Sequence, residues 1–156
     1  MDRYRGYYAS LEDSYGEHMQ SAKRIIANDI KRTYANVASQ ATKDAMYRIL
    51  YSYAKRNMEV GYCQGMNFMC YHFLHAGFGE EETFWVLAYI FEQLIPKDYY
   101  INMVPLIADI KVLRHILSER QPELVRHIQE LSVDLNFLLI PWFIMSFTNL
   151  QNEQVR

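Results

Sequence analysis

Over residues 21–150 the apolar side chains recur at intervals of three and four, segment after segment, and nowhere alternate with a sustained period of two. The first spacing lines side chains along one face of a helix, whereas the second would line them along one face of a strand. The breaks between segments are short, and only six Gly and four Pro occur among 156 residues, so tight turns are few. The fold class that follows is all-α, an orthogonal array of helices. The length fits one domain, or part of one, covering residues 1–156.

The individual segments carry their own signals. "SAKRIIANDIKRTY" (residues 21–34) sets Ile26 and Ile30 one turn apart among Lys and Arg. "TKDAMYRILYSYAKRNME" (42–59) has Met46, Leu50 and Tyr53 at helical spacing, with Thr42 as the expected N-cap. "YCQGMNFMCYHFLHAGFG" (62–79) reads as a helix stopped by Gly77 and Gly79. "EEETFWVLAYIFEQLIP" (80–96) opens on Glu80, Glu81 and Glu82, where carboxylates suit the positive end of a helix, and stops before Pro96. Pro105 and Pro122 stand at expected first helical positions of "PLIADIKVLRHILSER" (105–120) and "PELVRHIQELSVDLNFLL" (122–139). "IPWFIMSFTNL" (140–150) reads as a last, buried helix.

Several function classes find no support. The strongest apolar run, "FLLIPWFIM" (137–145), contains Pro141 and falls well short of the roughly 20 residues that cross a membrane, so no transmembrane segment is expected. "MDRYRGYY" at the start has no apolar stretch of the signal-peptide kind. A net charge of −2 without a basic stripe makes no case for nucleic acid. With 51% hydrophobic residues the chain can fill a packed core rather than stay disordered. Cys63 and Cys70, read as sharing one helix, would lie about two turns or roughly 10 Å apart. That separation is too great for a disulfide and points to reduced, intracellular thiols.

Candidate chemistry is sparse. Cys70, His72 and His75 lack the further ligands that zinc needs, and Cys70 and His72 point to different sides of a helix. No serine lies in a nucleophile-elbow pattern and no Gly-rich loop is shaped for phosphate. Asp29 and Arg32 share a helical face. They form either a surface ion pair of little energetic weight or a carboxylate that orients a guanidinium toward a charged partner. Gly61 and Gly65 flank Gln64 inside a stretch of helix formers. They mark an unusual backbone angle, a close approach by another surface, or a helix start with tight packing. The residues alone support a soluble helical domain.

Two motifs sharpen this reading. "IANDIKRT" (26–33) matches I-x-x-D-x-x-R and "YCQ" (62–64) matches Y-x-Q, in this order along a helical chain. Together with "GYCQGMNF", "EEETFWVL" and "PWFIMSF" they resemble the TBC domain, the GTPase-activating module for Rab-family small GTPases. The resemblance implies a partial TBC fold that is incomplete at both ends, so that residues near Trp142 and Phe143 would be left exposed. It implies that Arg32 is an arginine finger and Gln64 a glutamine finger acting on one phosphate. Asp29 would then hold the arginine, Thr33 would follow it as in the family, and Tyr62 would support the Gln64 segment. Gly61 would permit a turn, and Gly65 would clear room for the GTPase backbone.

The partner so implied is a Rab GTPase that brings its own GTP and Mg²⁺. The chain itself would carry no cofactor or metal and would act in trans, not as a nucleotide hydrolase. Its implied location is cytoplasmic, with recruitment to endomembranes through regions outside these residues. The rival readings are a module that docks a GTPase or a helix without catalysis, and a helical scaffold whose motif match is coincidental.

Overall fold

Four consecutive buried residues, Tyr51, Ser52, Tyr53 and Ala54, leave one helix without a solvent face over a full turn. Such a helix must be covered on every side. The computed structural model describes residues 6–12, 19–36, 38–96 and 98–148. In it that helix, α3 (Gln40–Arg56), packs against α1 (Tyr7–Glu12), α2 (Gln20–Arg32), α4 (Met66–His75) and α5 (Glu80–Tyr89). No strand occurs among the described residues, and the fold is all-α, as the periodicity requires. The chain divides into two compact units, Met1–Lys97 and Asp98–Arg156.

In the first unit Met46, Ile49 and Leu50 of α3 are fully buried, with Ile26 of α2, Met66 and Cys70 of α4, and Phe84 and Leu87 of α5. The helix ends have chemical causes. The Ser39 Oγ accepts the Thr42 backbone N–H at 3.1 Å, so Ser39 and not Thr42 is the N-cap of α3. Here a polar first turn precedes the apolar pattern, and periodicity cannot register it. At the end of α4, Gly77 adopts φ +95. The Phe78 N–H then reaches the Phe73 carbonyl and the Gly77 N–H the Leu74 carbonyl, both at 3.1 Å. The Phe78 ring closes on Phe73 at 5.6 Å, completing the expected glycine stop. Glu82 reaches back to the Gly79 N–H at 2.8 Å and satisfies an amide at the start of α5.

Helix α5 continues into a π-helical turn, Ile90–Leu94, which the sequence pattern does not announce. This wider turn sets Phe91 against Tyr53, ring centroids 5.2 Å apart, and Glu92 against Arg56 at 2.9 and 3.0 Å. Cys63 precedes α4 instead of lying within it, so the two thiols do not share a helix; both are free.

The second unit contains α6 (Asp98–Ile101), α7 (Val104–Arg120), α8 (Pro122–Glu130) and α9 (Leu135–Ile144). Tyr99, Tyr100, Leu106, Ile110 and Leu139 are buried, and the Tyr100 hydroxyl donates to the Ile144 carbonyl at 3.2 Å. The expected helix over 122–139 is broken. Ser132 takes φ +56, and Asp134 caps α9 by accepting the Asn136 N–H at 2.9 Å. Consequently Pro141 lies inside α9 rather than near the start of a separate helix. Nor is α9 the buried element expected of it: Leu139 is its one buried residue, whereas Phe137 is 80% exposed. Trp142 and Phe143 are half-buried. Apolar residues surround α9, but within this unit α7 covers only part of that circumference. The expected end of the last helix, at Asn149 and Leu150, lies outside the described residues.

Candidate functional site

The last turn of α2 presents Asp29 and Arg32 three residues apart. An Arg32 Nη donates to the Asp29 Oδ1 at 2.6 Å, yet the two side chains differ sharply in exposure, 58% for Arg32 and 6% for Asp29. A buried carboxylate requires partners for both oxygens. The second, Oδ2, accepts the Tyr62 hydroxyl at 2.9 Å, from a segment that follows α3. The pair is therefore not a loose surface ion pair; Asp29 is an anchor from which the guanidinium extends into solvent. Thr33 ends α2, its N–H bonded to the Asp29 and Ile30 carbonyls and its Oγ1 donating to the Asp29 carbonyl at 2.7 Å.

The segment between α3 and α4 turns on two glycines. Gly61 has φ +62, and its N–H bonds the Asn57 carbonyl at 2.7 Å. A Cβ there would meet nothing nearer than the Met58 carbonyl oxygen at 4.0 Å. The demand at Gly61 is thus for a backbone angle, as the expected turn implies. Gln64 is exposed, and Gly65, at φ +113, begins α4 and is buried. That φ is one that L side chains rarely adopt, a conformational demand for glycine that is separate from its expected role of clearing space for a partner's backbone.

A residue absent from both motifs joins the two segments. The Asn67 Oδ1 accepts the Gly65 N–H at 2.9 Å, and its Nδ2 donates to the Thr33 Oγ1 at 2.6 Å. Asn67 and Thr33 are 1% and 0% exposed. The Tyr62 hydroxyl also lies 3.2 Å from the Asn67 Oδ1, but its single proton serves the closer, charged acceptor on Asp29. The sequence did hold a signal for Asn67: an amide among Met66, Phe68 and Met69 in the first turn of an apolar helix must find partners once buried.

Of the expected site residues, the structure links Asp29, Arg32, Thr33, Tyr62 and Gly65 through hydrogen bonds. Gln64 and Gly61 lie on the connecting segment. Burial, then the Asp29 carboxylate, raise the Tyr62 phenol and keep it a neutral donor. The same two causes raise the Cys63 thiol, which disfavours the thiolate a nucleophile needs. Cys70 is wholly buried, and the His72 Nε2 lies 3.2 Å from the Tyr34 hydroxyl. Among the described residues no group of three or more His, Cys, Asp or Glu is placed to hold a metal ion. Nor is any described helix long and apolar enough to cross a membrane.

What remains is an exposed guanidinium and an exposed carboxamide on two segments braced by one buried network. Such a pair donates to anionic oxygens and can both donate to and accept from water.

The chain is similar to known proteins in fold and in sequence. The crystal structure of the Chlamydomonas flagellar RabGAP TBC domain superposes with a TM-score of 0.77 at 23% identity, covering 93% of this chain and 48% of that one. That likeness shows the fold. Growth hormone-regulated TBC protein 1-A of Danio rerio is 31% identical over 153 residues, 94% of this chain and 42% of that protein. TBC1 domain family member 2A of Homo sapiens is 32% identical over 150 residues, 92% of this chain and 16% of that protein. The chain thus spans less than half the length of these relatives. Residues 2–154 match the model of the Rab-GTPase-TBC domain, and by that match the chain belongs to the Rab-GTPase-TBC domain family.

Proposed function

We propose that this chain accelerates GTP hydrolysis by a Rab-family small GTPase, contributing Arg32 and Gln64 to an active site completed by the GTPase with its GTP and Mg²⁺. One observation carries the reading: exposed Arg32 and exposed Gln64 come from separate segments held together by the part-buried Asp29–Tyr62 bond and the buried Thr33–Asn67–Gly65 bonds. Membership of the Rab-GTPase-TBC domain family supplies the partner class.

Phosphoryl transfer to water needs little covalent help from a protein. Water attacks the γ-phosphorus, the bond to the bridging oxygen breaks, and GDP and phosphate leave. Arg32 neutralises charge that develops on the phosphoryl and bridging oxygens, its planar fork matching their geometry. The Gln64 carboxamide accepts a hydrogen bond from the attacking water and donates to a neighbouring oxygen, holding the water in line. Asp29 and Tyr62 restrict Arg32 before any partner arrives, so less order must be imposed on binding. The chain is an activator in trans. Its place of action on this reading is the cytoplasm, with recruitment to endomembranes through regions outside these residues.

The test is single-turnover GTP hydrolysis over a panel of Rab proteins, with and without the chain. Faster hydrolysis on at least one Rab, lost in Arg32→Ala, supports the reading. Binding to GTP-loaded Rab with no acceleration on any panel member rejects it in favour of a docking module.

A further inference from the structure

We propose that Asn67 is a positioning residue that sets the Gln64 carboxamide in register with the Arg32 guanidinium, an inference that rests on the activation reading above. The Gly65 N–H belongs to the peptide group that begins at the Gln64 carbonyl. By accepting that N–H at 2.9 Å, Asn67 fixes the plane of the peptide from which the Gln64 side chain departs. Its other end donates to the Thr33 Oγ1 at 2.6 Å, and Thr33 is the residue directly after Arg32. Thr33 in turn donates to the Asp29 carbonyl at 2.7 Å. A single buried amide therefore connects the peptide beside Gln64 to the residue beside Arg32.

Three features make this more than a packing detail. Asn67 is 1% exposed, so the amide can relax toward no solvent partner. It serves as donor on one side and acceptor on the other, which neither Asp nor Leu of similar size reproduces. Gly65, at φ +113, has no side chain of its own to hold its backbone, and the Asn67 bond fixes its N–H. Asn67 touches no reacting atom in this arrangement and acts only through its neighbours. Misplacing a catalytic group by about 1 Å can cost on the order of 100-fold in rate.

Asn67→Ala and the near-isosteric Thr33→Val each cut this link, and Thr33→Ser retains it. Two measurements on the full chain test the inference. The first is amide hydrogen exchange. In Asn67→Ala the Gly65 amide should exchange about tenfold faster or more, while amides in the middle of α3 and α5 keep their protection. The second is Rab GTP hydrolysis at saturating activator, where Asn67→Ala should lower the maximal rate roughly 10- to 100-fold with the half-saturating concentration changed less than about threefold. In a Gln64→Ala background the same substitution should lower the rate less than about threefold, because the group it positions is gone. Thr33→Val should follow Asn67→Ala in direction, and Thr33→Ser should restore most of the rate.

Unchanged Gly65 exchange in folded Asn67→Ala overturns the inference. So does an equal loss of rate with and without Gln64. If the parent chain accelerates no Rab while Asn67→Ala still frees the Gly65 amide, the activation reading fails and the bracing role of Asn67 stands. If Asn67→Ala does not fold, Thr33→Val and Thr33→Ser decide by the same two measurements.

Discussion

The Tyr62 hydroxyl donates to the Asp29 carboxylate across 2.9 Å, joining a residue that follows α3 to the last turn of α2. Asp29 is 4% exposed, so its second oxygen has no ready replacement for that bond. Removing one partner of a buried charged hydrogen bond costs about 1–3 kcal/mol. Tyr62→Phe should lower stability by that amount in urea denaturation. An unaltered midpoint would show that water or another group satisfies Asp29 instead.

Asp29→Ala should weaken Rab GTP hydrolysis without abolishing GTPase binding. The substitution removes the carboxylate that Arg32 meets at 2.6 Å but leaves the guanidinium itself in place. Equal maximal rates for Asp29→Ala and the parent chain at saturating activator would reduce Asp29 to a structural residue.

An arginine finger is worth about 10³–10⁵ in rate, or roughly 4–7 kcal/mol of barrier. Arg32→Ala should remove nearly all stimulated hydrolysis and Gln64→Ala most of it. Arg32→Lys should rescue poorly, since a point charge does not reproduce the planar fork. On the proposed mechanism both groups serve one transition state, so the double variant should fall little below the worse single one. Stimulated hydrolysis unchanged in folded Arg32→Ala would sink the two-finger mechanism.

Arg48 donates to both oxygens of Glu80, by Nε at 2.9 Å to Oε2 and by an Nη to Oε1, and Tyr8 adds a third bond at 3.2 Å. The hydrogen bond from Arg48 is the main cause that holds the Glu80 carboxyl below its usual range. A carboxyl depressed on folding stabilises above its unfolded value, about 4.3, and loses that contribution as the pH falls toward the folded one. The Tm advantage of the parent chain over Glu80→Gln should therefore shrink below about pH 4.3. The advantage should be modest, because side-chain exposures of 42% for Arg48 and 34% for Glu80 let solvent screen the pair. A difference in Tm that stays constant from pH 3 to pH 6 would remove the ion pair as its cause.

Leu50 is 0% exposed and Leu138 is 44% exposed, although both sit in strongly apolar sequence. Leu50→Ala should cost about 2–5 kcal/mol, since a cavity opens at the centre of α3. Leu138→Ala should stay within about 0.5 kcal/mol. Equal losses at the two positions would contradict the burial described for α9.

Local pattern accounts for the helix content, the glycine stop after α4 and the acidic start of α5. Each depends on residues within a few positions of one another, and short-range sterics and capping decide such features with little help from the rest of the fold. Burial is different in kind. Asp29 and Arg32 look alike on a helical wheel, and only the approach of Tyr62 from beyond α3 makes one a buried anchor while the other stays an exposed guanidinium. Pattern alone also could not assign Asn67 its partners, because Thr33 lies in another helix's cap. Nor could it rank Leu139 above Phe137 in α9, where every position but Asn136 is apolar and the neighbouring helix selects the face. A long-range hydrogen bond or a covered face needs two distant segments to arrive together, and periodicity within either segment carries no record of that meeting.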